Sequence, residues 1–214
     1  MLFPPAIRYN SQRDNVKIGS IPGTIQCGYT SCGMLLSSVS PIAETDDFIA
    51  RMVMDIEVNI GKPGWGEKLL SKAGWSGGWI YSQVNAGKAR MGAYMDVYVE
   101  YVKDFLVDNK IENVRVEAVL KGGDWERVKL LLKTNCPVML GTKILPSGHF
   151  IVLVAYDKDK GFQVKDPYGI ATENYAIKNG DNVWYPEEWL KERCMDGNGI
   201  KGLCRYVSLI QEGI

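Results

Sequence analysis

The apolar periodicity of the chain changes near Asn113, and that change constrains the fold more than any other feature of its 214 residues. Before it, Cys32, Leu35, Leu36 and Val39 recur at i, i+3, i+4 and i+7 until Pro41 stops the pattern. A helix is therefore predicted from about Cys27. Phe48, Met52 and Ile56 suggest a second, and "MGAYMDVYVEYVKDFLVDN" from Met91 a third, long and amphipathic. After Asn113, "VRVEAVL" alternates as a strand and "DWERVKLLLKTN" reads as a short helix capped by Asp124. "PVMLGTKI", "HFIVLVAYD" and "GFQVKDP" then follow as strands joined by the turns "LPSG" and "DKDK", and "CRYVSLI" closes the chain. Helices first and an antiparallel sheet afterwards make an α+β protein.

A chain of this length can bury a core without staples, and a single domain over residues 1–214 is the expectation. Its 25 basic and 25 acidic residues cancel, which removes the electrostatic footprint of a nucleic-acid or anionic-membrane binder. With 46% apolar and 23% charged residues, neither disorder nor membrane insertion is indicated. The N-terminal "MLFPPAIRYN" has no basic region followed by an apolar stretch, so synthesis in the cytoplasm without a signal peptide is expected. The longest region without regular pattern is the Gly/Trp-rich stretch 61–89, read as an elaborate loop.

Five cysteines, an odd number at irregular spacing, read as reduced thiols, although Cys194 and Cys204 flank a Gly-rich loop that an oxidising milieu could bridge. One histidine and no Cys-x-x-Cys pair are too few ligands for a zinc site. Cys32 lies on the apolar stripe of its helix and Cys136 precedes Pro137 at the start of a strand; both read as small buried hydrophobes. Cys27, in "QCGYTSCGML", stands where loop becomes helix, and a helix N-terminus stabilises a thiolate through its unpaired N–H groups. Without a partner base it too would read as inert.

The chain's one histidine, His149, opens the most strand-like segment, and Asp166 lies seventeen residues further on in "VKDPYG". If the hairpin turns around "DKDK", the two come within a residue or two of lying opposite each other. A carboxylate in that position can hold one imidazole nitrogen while the other faces a nucleophile.

In combination these residues are recognisable. "QCGYTSCGML" resembles the Cys-Gly-x-Thr-Ser signature at the start of the central helix of papain-like cysteine peptidases. More narrowly, "YNSQRDN", the cysteine block and "GHFIVLVAYDKDKGFQVKDPYG" resemble, in order, the blocks of the bacteriocin-processing, double-glycine-leader peptidases and their stand-alone relatives. The resemblance implies a papain-like fold with Cys27 as nucleophile, His149 as general base and acid, Asp166 orienting the imidazole and Gln12 as side-chain donor of the oxyanion hole. Tyr29 and Cys32 depart from the family's usual residues without removing a catalytic group. Gln12 stands fifteen residues ahead of Cys27, further than in leader-processing relatives, which makes Gln26 a rival donor. Gln12 is preferred because "SQRDN" matches in context.

The stretch from about 41 to 113 exceeds the family's minimal core and reads as a helical insertion. Its Trp65, Trp75 and Trp79 either line a wall for peptide or glycan or pack the loop onto the core. The function these readings imply is hydrolysis of a peptide or amide bond without a cofactor, with a bacterial cell-wall peptide as one plausible substrate and release by lysis as the route to it. Acyl transfer of the phytochelatin synthase type is the alternative within enzymes, and a non-catalytic binding module the alternative outside them. Oligomeric state is not encoded in any feature of the sequence.

Overall fold

In the computed structural model of the chain, residues 7–58 and 94–212 are described. The Gly/Trp-rich loop with Trp65, Trp75 and Trp79 lies outside them. Helix α1 spans Cys27–Ser37, α2 Asp46–Val53, α3 Met95–Asp108, α4 Trp125–Lys133 and α5 Glu187–Lys191. Strands β1 Val114–Gly123, β2 Val138–Thr142, β3 His149–Asp157, β4 Gly161–Lys165, β5 Val183–Tyr185 and β6 Cys204–Gln211 form one sheet in the order β1-β6-β2-β3-β4-β5, antiparallel throughout. The helices expected from about Cys27, around Phe48, and after the Asp124 cap are present, as are the five expected strands; the helix expected from Met91 is described from Met95. The α+β architecture, with the helix that starts at Cys27 packed on an antiparallel sheet, is as expected. Strand β5 and helix α5 were not anticipated: three and five residues are too short to show a period.

Helix α1 is not the half-exposed amphipathic helix its stripe suggested, because every residue from Gly28 to Ser37 is buried. The sheet covers one side, where Ser31 Oγ donates to the Phe150 carbonyl at 2.9 Å, and α2 and α3 cover the other. A buried helix can carry hydroxyls only if they are satisfied, and they are: Thr30 donates to the Gln26 carbonyl at 2.9 Å and Ser37 to that of Met34 at 2.7 Å. The glycine of the Cys-Gly pair has a packing cause. A Cβ at Gly28 would lie 2.1 Å from the hydroxyl of Tyr98, a side chain that is itself fully buried and packed edge-on against Phe150.

The described parts of the stretch 41–113 pack in the core. Helix α2 is capped by Thr45, whose hydroxyl accepts from the Phe48 N–H at 3.1 Å, and it runs into a wider turn at Met54–Val58. Phe48, Ile49 and Met52 from α2 and Tyr98, Val102 and Phe105 from α3 pack in the same cluster as Cys32, Leu35 and Leu36. A second cluster, on the far face of the sheet, joins α4 and α5 to Leu140, Ile151, Leu153, Phe162 and Val164. Helix α4 is capped as expected, Asp124 accepting from Glu126 N–H at 3.0 Å.

One irregularity in the sheet matters for the site. Near the β3–β4 turn the pairs are Tyr156↔Phe162 and Ala155↔Gln163, but the next is Leu153↔Val164, leaving Val154 as the extra residue of a bulge. Unbroken pairing would carry Asp166 to a place opposite Val152, on the other face of the sheet from His149. The bulge moves it opposite Ile151, two residues from His149 and on the same face.

All five cysteines are unbridged, Cys194 and Cys204 included, and all but Cys27 are buried. Burial pushes the thiols of Cys32 and Cys194 well up and that of Cys204 to about 12, which keeps them protonated and unreactive. Gly28→Ala should lower the denaturant midpoint by an amount equivalent to ~1–3 kcal/mol, because the fully buried Tyr98 has no free space into which to withdraw; an unchanged midpoint would show that the α1–α3 approach is looser than described.

Candidate active site

The four candidate residues come from four places in the chain: Gln12 from the N-terminal segment, Cys27 from the first position of α1, His149 from the first position of β3, and Asp166 from the residue after β4. Gln12, Cys27 and His149 line one cavity of about 500 Å³, with Asp166 directly behind the histidine.

Asp166 is wholly buried and its carboxylate is saturated. Oδ1 lies 2.7 Å from His149 Nε2 and accepts from the Tyr168 N–H at 2.9 Å, and Oδ2 accepts from the Tyr185 hydroxyl at 2.8 Å. Burial disfavours a charged imidazole at His149, yet the adjacent Asp166 carboxylate, and after it the Cys27 sulfur, outweigh it and raise the histidine pKa to about 10. The remaining ring nitrogen, Nδ1, is buried with no hydrogen-bond partner. Asp166 thus holds one side of the ring, and the Cys27 sulfur lies near enough to act on the imidazole without a formed hydrogen bond to it.

Aromatic rings enclose this pair. Tyr168 and Tyr175 stand edge-on to the imidazole, with centroids 6.3 and 6.1 Å away. Tyr175 follows Asn174, and both have left-handed backbones (φ 60° and 50°), an unfavourable conformation for a tyrosine that the loop nonetheless holds. The Tyr175 hydroxyl is buried without a partner, and burial, with the Asp166 charge, raises its pKa. Neither Tyr175 nor Tyr185 was singled out in the sequence. Tyrosines recur from Tyr168 to Tyr185, and no local pattern marks the two that reach Asp166 and His149.

The long interval between Gln12 and Cys27 is taken up locally. Ile18 and Ile21 bridge, Gly23–Ile25 makes one 3₁₀ turn, and the chain returns so that Gln12 Nε2 donates to the Thr24 carbonyl at 2.6 Å. The return is tight enough that a Cβ at Gly23 would lie 2.4 Å from the Asn15 carbonyl oxygen. The segment is also tied to the Asp166 loop: Gln12 N–H donates to Pro167, the Tyr9 hydroxyl to Asp166, and Arg13 Nε to Tyr168, at 2.9, 3.1 and 2.7 Å, all to main-chain carbonyls. Gln12 keeps one amide N–H beyond its bond to Thr24.

Gln26, the rival, is differently placed. Its amide donates to the Val16 and Ile21 carbonyls at 2.9 and 3.1 Å, and its oxygen accepts from Asn15 at 3.0 Å. With both N–H groups engaged, and outside the residues lining the cavity, it serves as a strut for the loop before α1. The cavity wall also includes Tyr29, whose hydroxyl donates to Glu57, together with Lys143 and Arg205.

Among the described residues no group of three or more histidine, cysteine or acidic side chains is placed to hold a metal ion, and no helix is long and apolar enough to cross a membrane. In comparisons with known proteins, no curated protein matches the chain. The crystal structure of a candidate C39-like peptidase from Bacillus anthracis aligns over 98% of this chain and 97% of its own, at 14% identity and a TM-score of 0.49. The model of the Peptidase_C39 like family matches residues 6–190, an interval that holds Gln12, Cys27, His149 and Asp166. By that match the chain belongs to the Peptidase_C39-like family of cysteine peptidases.

Proposed function

We propose that the chain cleaves a peptide bond through Cys27 as nucleophile, His149 as general acid and base, Asp166 as the group that orients the imidazole, and Gln12 as oxyanion donor. The observation that carries this reading is the buried, unpartnered Nδ1 of a histidine whose Nε2 is held by Asp166 at 2.7 Å, in one cavity with a cysteine at a helix N-terminus. The N–H groups of the first turn of α1 and the raised histidine pKa favour a thiolate–imidazolium pair over two neutral groups.

The thiolate attacks the carbonyl carbon, and the carbonyl oxygen takes the displaced electron pair. Its negative charge meets the spare amide N–H of Gln12 and the backbone N–H of Cys27. The imidazolium then gives its Nδ1 proton to the departing amine, leaving a thioester on Cys27. Neutral His149 next removes a proton from water as the water attacks the thioester. The acid product leaves and the thiolate–imidazolium pair is restored.

Peptides of the bacterial cell wall are the first substrate class to test, with arrival at the wall after lysis as the corresponding location. A product joined to an added amine or thiol in excess water would make the enzyme a transferase instead. Equal, slow labelling of all five cysteines by iodoacetamide near pH 6 would indicate a binding module.

On a cleaved substrate, Cys27→Ala and His149→Ala should each lower kcat by at least about 10³-fold with circular dichroism unchanged, and Asp166→Asn should leave a measurable remnant. Full activity of Cys27→Ala would end the proposal. Gln12→Ala should reduce kcat by roughly 10²-fold with little change in KM, whereas Gln26→Ala should reduce thermal stability more than kcat; the reverse pattern would assign the oxyanion to Gln26.

The pH dependence follows from the raised histidine. Because the folded pKa of about 10 exceeds the ~6.5 of a free imidazole, the His149–Asp166 pair contributes stability that is complete below about pH 6.5 and is lost as pH rises towards 10. The alkaline limb of kcat/KM should accordingly lie well above pH 8 and move down by at least about one unit in Asp166→Asn. A limb near pH 6.5 in the unaltered enzyme would contradict the pairing.

A further inference from the structure

The cavity that holds Cys27 and His149 also holds a cation that the reaction scheme leaves idle. Arg205 lies on β6, one residue before the pair Leu140↔Tyr206, which sets it beside Gly141 on β2; Gly141 in turn pairs with Phe150 on β3. The side chain crosses over Gly141, where a Cβ would come 2.6 Å from Nε and 3.1 Å from Cγ, and its guanidinium carbon stands 5.8 Å from the centroid of the Phe150 ring. The row Arg205, Gly141, Phe150 therefore runs across three strands towards the residue that follows His149.

Among the described residues no side chain or carbonyl forms a hydrogen bond or ion pair with this guanidinium. Its Nε is buried without a hydrogen-bond partner, and no carboxylate among the described residues lies within ion-pair distance of it. Burial lowers its pKa, while Asp96 at the start of α3 acts on it only through space. Arg127, by contrast, is engaged by Glu117, and Arg13 by the Tyr168 carbonyl. A half-buried, unpaired guanidinium is costly, and the cost is recovered when an anion arrives. Among the described residues the cavity wall has a second cation in Lys143, while the acid that lines it, Glu57, is bonded by Tyr29.

We propose that Arg205 makes the cleft selective for peptides that carry a carboxylate close to the scissile bond, with the planar guanidinium binding that carboxylate across Gly141. The proposal rests on Cys27 and His149 being the reacting pair. The carboxylate has two possible sources, an acidic side chain or the C-terminus of the peptide.

The test uses two reagents that differ in charge, iodoacetate and iodoacetamide, with Cys27 alkylation followed by mass spectrometry. The ratio of the two rate constants is the readout, so any general change in thiol reactivity cancels. The ratio should be about fivefold higher in the unaltered protein than in Arg205→Gln, as expected for one partly screened ion pair, and should shrink in 1 M salt. Arg205→Lys, which keeps the cation without the fork, should lie between them and remains informative if Arg205→Gln folds poorly. Digestion of a peptide library then separates the sources: cleavage enriched beside internal Asp or Glu indicates a side chain, cleavage at a fixed distance from the end indicates the C-terminus, and either enrichment should be lost in Arg205→Gln. Equal alkylation ratios, or a cleavage preference unchanged by the substitution, overturn the proposal. Slow reaction of Cys27 with both reagents in the unaltered protein strikes instead at the Cys27–His149 pair.

Discussion

Removing a carboxylate from water altogether, as at Asp166, costs several kcal/mol unless charge and hydrogen bonds replace the lost hydration. The site is arranged around that requirement. The Tyr168 N–H and the Tyr185 hydroxyl supply neutral donors, and His149 supplies the compensating charge. The buried aspartate raises the pKa of the histidine, so the reactivity proposed for Cys27 begins with a carboxylate placed behind the imidazole. The aromatic rings of Tyr168 and Tyr175 help to exclude the water that would screen this pair.

Around this centre, close backbone approach does what a larger side chain would prevent. Gly23 lets the loop before α1 close onto the Gln12–Asn15 turn, and Gly28 lets α1 meet the hydroxyl of Tyr98. These approaches fix Gln12 and Cys27 relative to the sheet that carries His149. The N-terminal segment is joined to the Asp166 loop by three hydrogen bonds to main-chain carbonyls, which tie the proposed oxyanion donor to the loop that carries Asp166. Gln26 supports the same arrangement from below through Asn15 and two carbonyls, although its position next to Cys27 made it a rival in the sequence.

The cavity contrasts with the buried pair behind it. Asp166 holds His149 through one ring nitrogen, whereas Arg205, in the cavity wall, keeps a buried Nε without a partner. Gly141 makes room for it, a third instance of a glycine whose missing side chain is used by a neighbour. Four of the five cysteines are excluded from this chemistry by burial, and only Cys27 combines partial exposure with a helix start.

Much of this was legible in the chain itself. Local periodicity reports which elements form, and it correctly placed the start of α1 at Cys27, the Asp124 cap of α4 and five of the six strands. Cys27, His149 and Asp166 were singled out from a short signature and from the chain's one imidazole, and the structure brings His149 and Asp166 together and places Cys27 in the same cavity as His149. Periodicity does not report what covers an element's second face, so it missed that α1 is enclosed on all sides and that the described parts of 41–113 belong to the core. Nor did it distinguish Tyr175 and Tyr185 from the chain's other tyrosines or reveal Arg205 at the cleft, because those roles depend on residues distant in sequence. The clearest division falls at Val154. Sequence alone determined that a hairpin would bring His149 and Asp166 near each other, but side chains alternate between the faces of a strand, and only the extra residue of the bulge decided that both point the same way.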